Sequence, residues 1–459
     1  MKKPIKISAL LLLPILLVSC GLFANFGKAD VRIDIAPVAS AGIGDTYARI
    51  YMNADGKLFP LDAENGYLAA LVSEFEPTTI IIEGIPVGPS YQVLMSIGSQ
   101  QDGWFDTWEW GESAEFTLEP GVNTPVSMSM QGSPFGNTFD LAGKSLVDVE
   151  VVGGTIYTAE AGTLWDSTSL FSTFNPTPIE PGYTANSLTE GIDFGTGSAR
   201  LWINSNKGVL PFYVTVAPVF DTAFSVKLGA VPVLDSATRP SGSDHVVYFR
   251  RSGGLGGTFV FSDVPDSPEL WEWVNLDSEE VYDLITLSSM DGSDGYFAAP
   301  GGSFRLPQPF LQDATPTIAE HKLPLKPPAK VLSWELMYDN YGDGDLLFLG
   351  TEDGAWQVSI NGGFWEPASL QRIAGTEGEA ILMTETFTSA GYQFAAFLSP
   401  TALYLYTSMG PSLTRYPLAA GLPGGVTGMD FTVEFGSSVY LMISSEEGLF
   451  YVYVTGLPV

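Results

Sequence analysis

The sequence predicts an all-β protein, and three observations carry that reading. Short runs of β-branched and aromatic residues, bounded by Gly, Pro, Asn and Asp, recur along nearly the whole chain. No stretch downstream of the first 20 residues sustains a helical period. From residue 138 onward an apolar strand, a glycine turn and a second aromatic strand repeat, which points to blades of a β-propeller.

The first element is an export signal. Lys2, Lys3 and Lys6 precede an apolar run over 7–18, too short to span a bilayer of about 30 Å. The run Leu17-Val18-Ser19-Cys20 resembles the lipobox of bacterial lipoproteins, in which the cysteine is acylated and becomes the new N-terminus. The resemblance implies a signal peptide over 1–19, lipidation at Cys20 and a tether over 20–30, with the membrane reached through the lipid. Cys20 is the only cysteine, so no internal disulfide competes for it. Gly21 in place of Asp resembles lipoproteins sorted to the outer membrane, the location expected within the cell envelope.

The second element is a β-sandwich over 31–131. Candidate strands lie at 31–36, 46–52, 67–72, 78–83, 91–97, 115–118 and 122–130, with turn signals at Asp55-Gly56 and Glu119-Pro120-Gly121. The passage Ile85-Pro86-Val87-Gly88-Pro89, followed by Phe116-Thr117-Leu118 and Pro120-Gly121-Val122, resembles the transthyretin-like and carboxypeptidase-regulatory sandwiches. A linker is expected over 132–137.

The third element, 138–459, is read as a seven-bladed propeller. Gly154, Gly197, Gly257, Gly295, Gly344, Gly391 and Gly436 anchor the copies, at a mean interval of about 47 residues. One sheet cannot bury both of its faces alone, so blades must pack against one another. Residues 138–144 are expected to return as the outer strand of the last blade and close the ring. The stretch Thr351 to Trp356, with Asn361-Gly362-Gly363-Phe364-Trp365, resembles sialidase or BNR-type blades. No counterpart of the sialidase arginines and nucleophile can be placed, so the resemblance concerns fold alone.

Charge narrows the function. Without residues 1–19 the chain keeps 17 basic against 52 acidic residues, a formal −35. Nucleic-acid binding, which needs Lys and Arg to neutralise phosphate, is excluded as an expectation. With 45% hydrophobic residues and 28 Phe, 19 Tyr and 10 Trp, the chain can fill sizeable cores.

Candidate chemistry is sparse. His245 and His321 are the only histidines; Asp244-His245 beside Ser241 and Ser243 lacks a demonstrable triad, and a histidine-based zinc site lacks ligands. The run Asp339-Asn340-Tyr341-Gly342-Asp343-Gly344-Asp345 has the oxygen donors of a calcium loop, but Gly350 stands where the bidentate Glu belongs, so a hairpin turn is expected, as at 291–295. No metal or other cofactor is expected.

Trp104, Trp108 and Trp110 recur at strand spacing with Asp106, as a sugar-stacking face would require; a sandwich core explains the same spacing. Trp271 and Trp273 share the ambiguity, and Arg250-Arg251 and the proline-rich stretch 321–330 are the main basic spots. The expected function is a non-enzymatic binding or scaffold module for a protein or glycan ligand. The alternative is a glycan hydrolase or lyase using carboxylates of the propeller channel, since paired carboxylates need no histidine.

Overall fold

The structure, a computed structural model, describes residues 27–37, 45–62, 67–73, 75–101, 104–192, 199–214, 218–222, 232–241, 244–251, 254–260, 269–273, 283–289, 292–299, 302–306, 330–337, 345–361, 364–365, 367–389, 391–408 and 412–456. The export signal and Cys20 lie outside them. The protein is all-β: strands dominate, and the named helical elements among the described residues are three short 3₁₀ turns. Among the described residues no helix is long and apolar enough to cross a membrane. The chain divides into two compact units, whose main boundary falls between Ser133 and Pro134.

The first unit has two sheets. In the smaller, Lys28–Ile35 lies between Thr78–Pro86, antiparallel, and Asn123–Val126, parallel. In the larger, the order is Met128–Gly132, Trp104–Ser113, Ser90–Gln101, Thr46–Ala54 and Lys57–Phe59, with Leu68–Leu71 and Phe116–Thr117 added at the sides. Strand alternation explains the packing. Val31, Ile33 and Ile35 turn inward while Arg32 and Asp34 stay outside and pair at 3.0 Å. The inward set shares one core with Ile80 and Ile82 of the same sheet and with Ile50, Met52, Val93 and Met95 of the other. Each fully buried aliphatic side chain in such a core contributes about 1.5–3 kcal/mol relative to exposure.

The second unit consists, among the described residues, of seven antiparallel sheets that follow one another in sequence. Their first strands are Asp148–Val152, Ala185–Ile192, Val233–Ser241, Asp283–Ser289, Val331–Met337, Met383–Ser389 and Val426–Glu434. Each first strand lies beside the first strand of the next sheet, and that of the seventh lies beside that of the first. Apolar residues of neighbouring sheets meet face to face. Ala159 and Leu164 of the first sheet pack with Leu188 and Leu201 of the second, and Phe394 of the sixth packs with Phe431 and Leu441 of the seventh. Leu146, Val149 and Ile156 pack with Met442 and Leu449, so the seventh sheet buries its other face on the first.

The repeated glycine has a local cause in the hairpin between second and third strands. Ser205 Oγ donates to Gly208 O, Thr351 Oγ1 to Gly354 O and Ser445 Oγ to Gly448 O, at 2.6, 2.7 and 3.1 Å. The same oxygens accept the N–H two residues on, from Lys207, Asp353 and Glu447. The glycines have φ of +108°, +110° and +131°, a region closed to residues with a Cβ. In the sixth sheet Ser399 makes the equivalent bonds, with Ala402 in the glycine's place.

Two expectations are corrected. The outer strand of the seventh sheet is Phe135–Asn137, paired antiparallel with Gly448–Gly456, and it falls in the stretch read as linker. Phe135 is drawn there because its ring packs edge-on against Tyr416, 5.7 Å away, whereas residues 139–141 form a 3₁₀ turn that buries Leu141. Gly257 and Gly295, taken as turn anchors, lie inside the strands Gly254–Val260 and Gly292–Ala299. The strand pairs of those sheets end instead at Ser241 opposite Asp244 and Ser289 opposite Gly292.

Candidate functional site

The first strands of six of these sheets line a cavity of about 670 Å³. A strand at the inner margin of a sheet presents backbone N–H and C=O groups with no neighbouring strand to satisfy them. The chain meets that demand with carboxylates placed in these first strands. Asp148, Glu150, Glu190, Asp235, Glu335, Glu385 and Asp430 all line the cavity, drawn from the first, second, third, fifth, sixth and seventh sheets.

Five of them accept the N–H of the residue that follows: Asp148 from Val149, Asp235 from Ser236, Glu335 from Leu336, Glu385 from Thr386 and Asp430 from Phe431. Three of the seven accept an N–H from the next sheet. Asp148 Oδ2 accepts Leu188 N–H at 2.9 Å, Glu150 Oε1 accepts Glu190 N–H at 3.0 Å, and Asp430 Oδ2 accepts Val151 N–H. Between the second and third sheets hydroxyl and amide groups do the same work. Ser187 Oγ donates to Leu234 O, Asn186 Nδ2 to Val233 O, and Ser236 Oγ to Asn204 Oδ1. Between the fifth and sixth, Thr386 Oγ1 donates to Leu336 O at 3.3 Å.

Gathering carboxyl groups in protein surroundings favours their neutral forms. Burial is the main cause throughout. It pushes Asp148 up to about 7, against the lowering effect of the Leu188 and Val149 N–H groups, and Asp430 up to about 8 against those of Val151 and Phe431. Glu150 and Glu385 rise well above the usual carboxylate range by burial and then by facing acids, Asp430 first for Glu150 and Glu335 first for Glu385. Glu190 and Asp235 are also raised by burial, and for Asp235 the Arg250 guanidinium works the other way. Asp235 and Arg250 are register partners on adjacent strands. The cavity is thus lined by carboxyl groups that burial shifts toward their neutral forms, several of which accept N–H bonds from the backbone.

The likenesses among known proteins are to solved structures. The extracellular domain of BT4673 from B. thetaiotaomicron, described as a one component system, superposes with a TM-score of 0.44 at 12% identity, covering 70% of this chain and 40% of that one. PorZ, a bacterial surface component of the type-IX secretion system of Porphyromonas gingivalis, gives 0.43 at 14%, covering 71% and 39%. The β-propeller domain of Cps50 (Swd1) from Myceliophteria thermophila gives 0.43 at 10%, covering 68% and 97%. The chain spans about two fifths of the length of the first two. No family model and no curated protein matches the chain.

One residue singled out in the sequence lines this cavity: Arg250, read there as a basic spot. Trp104, Trp108 and Trp110 share the strand Trp104–Ser113, of which the residues from Phe105 onward belong to the first unit. Trp110 is buried at 7% exposure, and Trp108 is half-buried with its Nε1 donating to Asp106 Oδ2 at 3.3 Å; the Trp104 side chain lies outside the described residues. His245 is a strand residue in register with Pro240 and Val260; its side chain, His321 and the acidic turns at 339–344 and 291 lie outside the description. Among the described residues no group of three His, Cys, Asp or Glu side chains could hold a metal ion.

Sequence reasoning missed the cavity acids, although a signal exists. In three places it is an acid set between apolar neighbours of a strand: Val149-Glu150-Val151, Trp334-Glu335-Leu336 and Met429-Asp430-Phe431. Positions 335, 385 and 430 recur at the spacing of the sheets themselves.

Proposed function

We propose that this protein is an exported bacterial lipoprotein, acylated at Cys20 and held to the outer membrane, in which a β-sandwich precedes a seven-bladed β-propeller that serves as a non-enzymatic binding or scaffold module. The observation that carries the reading is how the cavity carboxyls are used. Asp148, Glu150 and Asp430 accept backbone N–H groups of the adjacent sheet, which is the work of joints between blades. A ring of sheets whose inner side chains are engaged in this way leaves its loops to meet a protein or glycan partner. In the sandwich, Trp108 retains part of its surface for a sugar ring. Metabolic labelling with a palmitate analogue tests the anchor: label on the wild-type chain and none on Cys20→Ala supports it, and equal label on both overturns it.

One observation favours the second reading, a carboxylate-dependent hydrolase or lyase. Asp148 and Asp430, facing the same cavity and raised by burial to about 7 and about 8, keep a protonated fraction at neutrality as a general acid must. Turnover of a glycan panel by the wild-type chain, lost with binding retained in Asp148→Asn and Asp430→Asn, would replace the scaffold reading with this one. No turnover, with binding retained in all three proteins, would support the scaffold.

A further inference from the structure

A cluster of aromatic rings stands at the surface of the second unit where the seventh sheet meets the first. Phe171 and Phe435 stack with centroids 5.4 Å apart and planes inclined at 19°. Phe171 also meets Tyr440 and Tyr451 edge-on, at 5.6 and 5.4 Å, and Tyr440 meets Tyr453 at 5.5 Å. Phe435 is 76% exposed, Tyr453 50% and Phe171 48%.

The cluster is positioned by polar contacts beneath it. Glu434, itself 5% exposed, accepts Leu170 N–H at 2.7 Å and Ser169 Oγ–H at 2.8 Å, which fixes the loop carrying Phe171 against the turn carrying Phe435. That turn is Phe435-Gly436, with φ of +54° and +75° and Ser437 N–H donating to Glu434 O. The same pair of positive φ values occurs at Asp55-Gly56, where the chain uses the residue types such a turn favours. At Phe435 it uses a large apolar ring in a backbone conformation disfavoured for it, and holds that ring out to solvent. A disfavoured conformation at an exposed ring is a reason to look for a role.

Elsewhere the chain covers ring faces with its own cations. Arg49 lies over Tyr67 and Phe105, Lys144 over Trp165, Lys207 over Tyr183 and Arg372 over Trp356, at 4.2–4.9 Å. Among the described residues no arginine or lysine lies over the five rings of this cluster. Ring faces are electron-rich and attract ammonium and guanidinium groups. The whole chain, with 52 acidic against 20 basic residues, draws cations from a distance.

We propose that the Phe171–Phe435 cluster is a docking surface for a basic segment of a partner protein, whose arginine or lysine side chains take the place over these rings that the chain's own cations take elsewhere. The surface is separate from the cavity, so the inference stands whether or not the cavity binds anything.

The test is fluorescence anisotropy with the full chain and a labelled arginine-rich nonapeptide, beside a glutamine peptide of the same length, at about 0.15 M salt, where long-range attraction is largely screened. Phe435→Asn and Phe171→Ser leave the net charge unchanged, and the thermal midpoint of each variant reports folding. Binding of the arginine peptide alone, weakened about five-fold or more by each variant that keeps its midpoint, supports the proposal. Equal affinity of wild type and both variants overturns it, because charge alone would then account for binding. Phe435-dependent binding of a neutral oligosaccharide without the peptide, or Phe435-dependent self-association, overturns it in favour of a glycan or a second copy.

Discussion

The Oδ2 of Asp430 accepts the backbone N–H of Val151, so a carboxyl of the last sheet is joined to the first strand of the first sheet, 279 residues away in sequence. Its Oδ1 takes the N–H of Phe431. Removing the side chain in Asp430→Ala leaves both donors without this acceptor, at about 1–3 kcal/mol for each one left unsatisfied. Asp430→Asn keeps an acceptor oxygen and cannot ionise. Asn, however, can accept only one of the two N–H groups and sets its own amide N–H against the other, so the urea midpoints of Asn and Ala at pH 8 are both expected below that of wild type, with unchanged slopes. An Ala variant as stable as wild type would show that the bond joins nothing of consequence.

Stability is expected to fall as pH rises from about 5 to about 9. The native chain holds protons on Asp148 and Asp430 up to about pH 7 and 8, while an unfolded carboxyl has released them by about pH 5. The native state therefore binds more protons in this interval, and the unfolding free energy declines with pH. These groups contribute their full stability below the unfolded values, and it is lost as pH rises through the folded ones. Glu150, Glu190, Asp235 and Glu385, raised by burial, act in the same direction. Thermal midpoints across the range check this, and a rise between pH 6 and pH 8 would contradict it.

Strand composition and glycine spacing made the all-β class legible, and with it the succession of small sheets. The phase of the repeat was less legible. Gly257 and Gly295 look like turn glycines in sequence but lie within strands, because a glycine tolerates an extended backbone as readily as a turn. The closing strand was displaced to Phe135–Asn137 because a three-residue strand has too short a pattern to read against neighbouring turn signals. The cavity was not legible, since a lone acid in a strand reads as solvent-facing until the sheets are seen to meet. Glu150 and Glu385 stand more than 200 residues apart in sequence, yet the charge of Glu150 raises the tendency of Glu385 to keep a proton.

Gly428 is expected to resist substitution. A Cβ there would lie 1.9 Å from Asp148 Oδ1 and 3.0 Å from Ser444 Oγ. Asp148 cannot swing aside cheaply, because its two oxygens accept Val149 and Leu188 N–H groups. Gly428→Ala should cost about 1–3 kcal/mol, the range for overpacking a well-filled site. Combining it with Asp148→Gly should recover part of the loss, read as a double-mutant cycle from denaturant midpoints. A single variant within 0.5 kcal/mol of wild type, roughly the surface-substitution range, would count against this placement of Asp148.

The turn hydroxyls should matter individually. Thr351 is buried, donates to Gly354 O at 2.7 Å and accepts Asp353 N–H at 3.1 Å. Thr351→Val keeps the shape and loses both bonds, at about 1–3 kcal/mol. Ser445→Ala should show a comparable loss for the same pair of bonds in the seventh sheet. The two sites belong to different sheets, so their costs should add. A free energy of the double variant well short of the sum would mean that the two hairpins are not independent joints.

Phe435 offers a comparison in which two effects oppose each other. Its φ of +54° costs a residue with a bulky side chain about 1–2 kcal/mol relative to a right-handed conformation. Stacking on Phe171 returns about 0.5–1.5 kcal/mol. Asn accepts the left-handed region readily and suits a turn of this kind, as Asp55 does before Gly56. Phe435→Asn therefore exchanges a strained turn with a ring contact for a relaxed turn without one. Stability should stay the same or rise by up to about 1 kcal/mol. Phe435→Ala loses the ring and keeps most of the backbone cost, so it should be less stable than Asn. The decisive measurement is the difference between these two variants. If Ala equals Asn, the backbone at 435 is unstrained, and the exposed ring costs the fold nothing to keep.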